Sequence, residues 1–176
     1  NKILLNIDLN EGINNSKFTY CDICNLKELL SIKIPHKSDI TLINLAAVHF
    51  DFQKNFFDTN VNGTSNLLKF IDLNKNIKNF VFFSSVATYG HSNNGKDEKS
   101  KQEPYNNYGK SKLAAEKLIK TWHKKNKNIK TIIVRPAVVY GEYNFGNVFN
   151  LINQIRSGFF AVIGSGKNIK SIAYAG

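Results

Sequence analysis

A chain of 176 residues, 42% hydrophobic and 21% charged, has the length and apolar content of one globular domain with a sizeable core. That excludes a wholly disordered chain, a collagen, a coiled coil and a disulfide mini-protein, and no apolar run approaches the roughly 18 residues of a membrane helix. The net charge of +11 rests on lysines spread along the chain, with Arg135 and Arg156 the two arginines, so it predicts no nucleic-acid face.

In chain order, residues 2–7 predict a strand ended by Asp8, and residues 17–20 a short second strand. Asn25 is placed to cap a helix carrying Leu26, Leu29 and Leu30, which stops before Pro35. Residues 40–46 and 80–84 read as buried strands, with a helix over 61–73 between them. The polar stretch 91–103 is near the upper length of a structureless loop and reads as a surface loop or movable flap. A long amphipathic helix follows over 105–125, then a strand at 131–134 stopped by Arg135-Pro136. A helix over 148–155, a turn at Gly164-Ser165-Gly166 and a strand beginning at 169 complete the pattern.

Apolar strands alternating with helices predict a parallel α/β sheet covered on both faces. The pair Cys21 and Cys24 has no second ligand pair nearby, so it predicts no metal site, and two lone thiols suit a reducing, cytoplasmic setting. The chain has no Met and opens on Asn1 in a strand pattern, so it reads as an internal piece of a longer protein.

Tyr108 and Lys112 are four apart on the long predicted helix and share one face. A phenol with a pKa of about 10 is a poor base at neutral pH, and moving it by roughly 3 units takes about 4 kcal/mol. An ammonium about 4 Å away supplies roughly that much at an effective dielectric near 20. The pair is therefore expected to form a phenolate that takes a hydroxyl proton. The predicted strand at 80–84 ends in Ser84-Ser85, where a hydroxyl can donate to a developing oxyanion.

Together these residues resemble the extended short-chain dehydrogenase/reductases, in particular the NAD-dependent sugar-nucleotide epimerase/dehydratase branch. The resemblance runs through Ile7-Asp8, Asp22-Ile23, Leu45-Ala46-Ala47, Asn60-Val61-Asn62-Gly63-Thr64, Ser84-Ser85 with Tyr89-Gly90, Tyr108 with Lys112, 135–141 and Gly164-Ser165-Gly166-Lys167-Asn168. It implies a Rossmann-type doubly wound parallel sheet without its first βα unit and without most of a C-terminal substrate lobe. Residues 1–145 would form the NAD-binding domain, and 146–176 would begin the substrate lobe. It implies Tyr108 as base and acid, Lys112 as its partner and nicotinamide-ribose ligand, and Ser85 as the catalytic serine. Asp8 would hold the adenosine ribose, and Asp22 and Ile23 the adenine. Leu45, Ala46, Ala47, His49, Asn60, Ser84 and Pro136 would complete the NAD site. A carboxylate at Asp8 with no Arg after it favours NAD over NADP. A nucleotide sugar is the implied substrate, in polysaccharide synthesis, with a homodimer as the working assembly and neither nucleic acid nor membrane as partner.

Two departures shape the expectation. The glycine-rich phosphate turn is absent, so the chain by itself is expected to bind NAD poorly and to be inert. Val86-Ala87 follow Ser85 where dehydratases of the family place acidic residues, which favours 4-epimerisation. A nucleotide-sugar reductase, dehydrogenase or dehydratase is the alternative, and a non-catalytic dinucleotide-binding protein the reading of a different class. The sequons at Asn62 and at Asn14 are expected by chance in so Asn-rich a chain.

Overall fold

The computed structural model describes residues 5–11, 17–35, 39–49, 55–92, 95–162, 164–167 and 169–176. The sequon at Asn14 and the start of the first predicted strand lie outside them. The chain divides into two compact units, Asn1–Val134 and Arg135–Gly176.

In the first unit, strands β1 (Leu5–Asp8) and β2 (Lys17–Tyr20) pair in parallel, Leu5 opposite Lys17. Helix α1 (Leu26–Ser31) is capped by Asn25, whose side chain accepts from the Glu28 amide. Strands β3 (Ile40–Asn44), β4 (Ile77–Phe83) and β5 (Lys130–Val134) form a second parallel group with β4 at its centre. Parallel neighbours need crossovers, and helices α2 (Thr64–Leu73) and α3 (Asn107–Lys125) supply them. Among the described residues the two strand groups are not hydrogen-bonded to each other.

The pleat sorts the strands. Phe80 and Phe82 of β4 point into the core, where they meet Leu29 of α1, Phe70 and Ile71 of α2 and Ile119 of α3. Fully burying a side chain such as Phe80 stabilises by about 1.5–3 kcal/mol. The alternate row runs Ile43, Val81, Ile132 across the three strands. Ile43 is 53% exposed and Ile132 57% exposed. The strands read as apolar on both faces, but among the described residues the helices cover the Phe80 face.

Boundaries shift for local reasons. The helix expected from 61 begins as a π-helical turn, Asp58–Gly63, that runs directly into α2. The long helix α3 begins at Asn107 rather than 105, because Asn106 caps it by accepting the Gly109 amide at 2.8 Å. Its last turn carries His123, Lys124 and Lys125, which suit the negative end of the helix dipole. The polar loop after β4 has a closed neck. The His91 and Tyr105 rings stack at 3.9 Å, and Gly90, at φ 74°, passes so close to the Glu103 carbonyl that no Cβ fits.

The second unit contains β6 (Val138–Tyr140), α4 (Asn147–Arg156) and β7 (Ile172–Tyr174), with β6 and β7 parallel and the Tyr140 and Tyr174 rings 5.4 Å apart. Three residues of β6 are too few for patterning to announce a strand.

Candidate active site

The carboxyl end of β4 and the first turns of α3 meet. Ser84 follows the last residue of β4, its amide donating to the Val134 carbonyl at 2.7 Å. Ser85 has extended backbone and caps the 3-10 turn Val86–Tyr89 by accepting the Ala87 amide at 3.1 Å. Gly109 lets α3 cross that turn at close range, because an added Cβ would sit 2.5 Å from the Ala87 carbonyl oxygen. The crossing brings Tyr108 to Ser85.

The Tyr108 phenol is raised above its usual value by burial, opposed by a hydrogen bond with Ser85. This reverses the direction expected from Lys112. The Lys112 ammonium lies 6.0 Å from the Tyr108 ring centre and donates to the Phe83 carbonyl at 2.8 Å. It also sits 5.0 Å over the Phe82 ring. Lys112 is 2% exposed. Burial pushes it down to about 8, opposed by the charge of Glu116. The His49 ring lies 5.1 Å from that of Tyr108, and Phe56 closes on Tyr108 from another side at 6.3 Å. Desolvation, then the Lys112 charge, hold the His49 imidazole below its usual value, although the residue's outer side stays in solvent.

The other expected site residues take varied places. Asp8 ends β1 and is exposed, its carboxylate accepting from the Leu9 and Asn10 amides. Asp22 caps the next turn by accepting the Cys24 amide at 2.9 Å. Ile23 is a core residue, and its carbonyl accepts from Asn66. Leu45 and Ala46 are exposed beyond the end of β3, with Ala47 half-buried beside them. Pro136 belongs to the second unit.

Asn60, expected against the cofactor, is 1% exposed and holds the Val48 backbone. Its Oδ1 accepts the Val48 amide at 2.9 Å, and its amide group donates to the Val48 carbonyl and to Ser111 Oγ. Ser111 in turn donates to the Tyr108 carbonyl at 2.8 Å. Asn44 and Thr64 continue the chain of bonds, since Thr64 Oγ1 donates to the Asn60 carbonyl. A π turn is a frequent mark of a functional site, and here it carries Asn60 to both neighbours.

Glu116 was not legible as a site residue. It is 0% exposed, and its carboxylate accepts from Ser84 Oγ at 2.6 Å and from Gln102 Nε2 at 3.0 Å. One signal points to it: a charge in the same helical stripe as Lys112, Ala115 and Ile119. Cys21 and Cys24 are not joined in a disulfide. Among the described residues no group of three or more His, Cys, Asp or Glu gathers to hold a metal, and no helix is long and apolar enough to cross a membrane.

The sequence profile of the NAD dependent epimerase/dehydratase family matches residues 5–176. The chain belongs to this family. An N-acetyl-alpha-D-glucosaminyl-diphospho-ditrans,octacis-undecaprenol 4-epimerase from Escherichia coli O157:H7 is 43% identical over 140 residues, covering 77% of this chain and 42% of the relative. A UDP-glucuronic acid 4-epimerase from Bacillus cereus, solved with UDP-glucuronic acid and NAD, superposes at a TM-score of 0.72 with 27% identity, over 91% of this chain and 52% of that one. A dTDP-glucose 4,6-dehydratase from Bacillus anthracis, solved with NAD, shares the fold at a TM-score of 0.75 and 24% identity, over 92% of this chain and 52% of that one. The epimerase/dehydratase chain therefore spans about half the length of these relatives, and its parallel α/β sheet is the Rossmann-like sheet of the family.

Proposed function

We propose that the whole protein is an NAD-dependent 4-epimerase of a nucleotide sugar. In this reading residues 1–145 hold the cofactor and 146–176 begin the substrate lobe. The cluster of Ser85, Tyr108 and Lys112, followed by a turn with no acidic side chain at Val86 or Ala87, carries the proposal.

The residues present fit the cofactor by their chemistry. A buried ammonium and a phenol stand together at the end of β4. An exposed carboxylate at the carboxyl end of β1 can accept a ribose diol, and small residues follow β3. Asp8 and the Leu45–Ala47 ledge would hold the adenosine side, and Tyr108 and Lys112 the nicotinamide ribose. NAD, when bound, supplies the acceptor and donor of the hydride at the sugar carbon.

The protein's part is proton transfer and position. Tyr108 Oη, as phenolate, takes the proton of the sugar 4-hydroxyl and returns it once the ketone has turned over. Ser85 favours that phenolate through its hydrogen bond, and its hydroxyl lies beside the place where charge develops. Water elimination needs a further acid or base next to the reacting carbon, and the turn after Ser85 offers none, which supports epimerisation over dehydration.

The relative at 43% identity supports a second reading, in which a polyprenyl diphosphate rather than a nucleotide carries the sugar. A homodimer and a cytoplasmic setting belong to the same proposal, supported by the resemblance and, for the setting, by two cysteines outside any disulfide.

The test is to incubate the whole protein with UDP-glucose and UDP-N-acetylglucosamine and follow the anomeric signals by NMR. The 4-epimer should appear, and Tyr108→Phe should reduce its rate by about 10²–10⁴-fold. No conversion of either sugar by the unaltered protein overturns the nucleotide reading. Conversion of the polyprenyl-diphosphate sugar alone selects the second.

A further inference from the structure

A carboxylate in an apolar helix stripe is costly to bury, and a leucine there would complete the stripe. Glu116 lies one turn after Lys112, between Ala115 and Ile119 in the helix stripe, and has no exposed surface. Its two oxygens divide their work. Oε1 accepts from Ser84, the last residue of the β4 extension, whose neighbour Ser85 bonds Tyr108. Oε2 accepts from Gln102, at the closing end of the polar loop, and lies 3.6 Å from the half-exposed Lys120 ammonium. That loop end is otherwise fixed at its neck by the stacked His91 and Tyr105 rings. One carboxylate thus touches the serine strand end and the loop, on the same helix face as the reactive lysine.

We propose that Glu116 is a positioning residue of the reaction, joining the Ser84–Ser85 strand end, the Gln102 end of the polar loop and the Lys112 turn of α3 into one frame. The proposal rests on the 4-epimerase reading for its effect on rate, but its physical content is separate. Among the described residues, charged and titratable groups near the frame include Lys112, Lys120, Tyr108 and His49, the His91 and Tyr105 rings at the loop neck and the Lys101–Glu103 ion pair beside Gln102. In that setting the Glu116 charge favours the ammonium of Lys112. Loop and lysine are then coupled through one side chain.

The test uses the whole protein and three variants. Glu116→Gln keeps the shape and removes the charge. Gln102→Leu removes the loop bond and keeps the charge. The double exchange of Gln102→Glu with Glu116→Gln restores a donor–acceptor pair between the two positions, with the charge moved to the loop. Lysine titration by NMR should place Lys112 near 8 in the unaltered protein and in Gln102→Leu, and lower in Glu116→Gln. Protease cleavage within 91–103 should speed up in Gln102→Leu and return toward the original rate in the double exchange. In the epimerase assay Glu116→Gln should lose about 10-fold or more in kcat with little change in KM, as expected when reacting groups are displaced by a fraction of an ångström.

An unchanged Lys112 titration in Glu116→Gln, with an unchanged loop cleavage rate in Gln102→Leu, overturns the proposal. An unaltered protein that epimerises no sugar overturns the reaction reading instead, while the titration and cleavage still decide the frame.

Discussion

Replacing Gly109 by alanine tests the crossing that brings Tyr108 to Ser85. The new Cβ would lie 2.5 Å from the Ala87 carbonyl oxygen and 2.9 Å from the Pro104 Cβ. Carbon and carbonyl oxygen come to rest at about 3.3 Å, so the start of α3 must retreat by roughly 0.8 Å. Alanine gains about 1 kcal/mol over glycine within a helix, and overpacking costs about 1–3 kcal/mol. The net loss is about 0–2 kcal/mol, or a Tm lowered by at most about 8 °C at 2–4 °C per kcal/mol. The rate should suffer more, because Tyr108 moves with the helix and a displacement of about 1 Å costs on the order of 10²-fold. Steady-state epimerisation beside a circular-dichroism melt reads both quantities. A variant within twofold of the original kcat would refute the idea that this crossing sets the position of Tyr108.

Two further outcomes follow from burial. Lys112 moves from an ordinary 10.5 down to about 8 in the folded protein. Between those values the unfolded chain binds the extra proton, so this group's contribution to stability rises with pH across that window and is flat below it. Denaturant titrations of the original protein and Lys112→Met at pH 7 and pH 10 should show the original gaining up to about 3 kcal/mol on the variant; a gap that is constant or moves the other way refutes the buried ammonium. Phe80→Ala removes a ring with no exposed surface that meets Trp122 edge-on at 6.3 Å. It should cost about 3–5 kcal/mol, read as a melt lowered by about 6–20 °C or as loss of soluble protein, and a shift of only a degree or two would contradict the packing.

Much of this was legible in the residues because local pattern and chemistry coincided. The strands at 17–20 and 131–134 carry apolar residues between clear stops, and β2 and β5 form within a residue of them. Tyr108 and Lys112 are readable because helical spacing places them on one face. What lay hidden was set by partners distant in sequence. The motif marks Asn60 but not the partners of its amide, Val48 and Ser111, the latter 51 residues away. The direction of the Tyr108 shift depends on how deeply the ring is buried, which spacing does not reveal. The exposure of Ile43 and Ile132 was equally out of reach, since an apolar strand face announces the need for a cover and not its presence.

The bonds that hold the cluster of Ser85, Tyr108 and Lys112 also tie it to the core of the fold. Asn60 to Ser111 spans 51 residues, Ser84 to Glu116 spans 32, and Lys112 to the Phe83 carbonyl spans 29. All three join segments distant in sequence, and such contacts must bear their loop-closure entropy before they reward it. Native-state hydrogen exchange should therefore find the Ser84 and Lys112 amides opening with the central strand rather than with the helix ends. Loss of the central strand should accordingly dissolve the cluster as a whole rather than residue by residue.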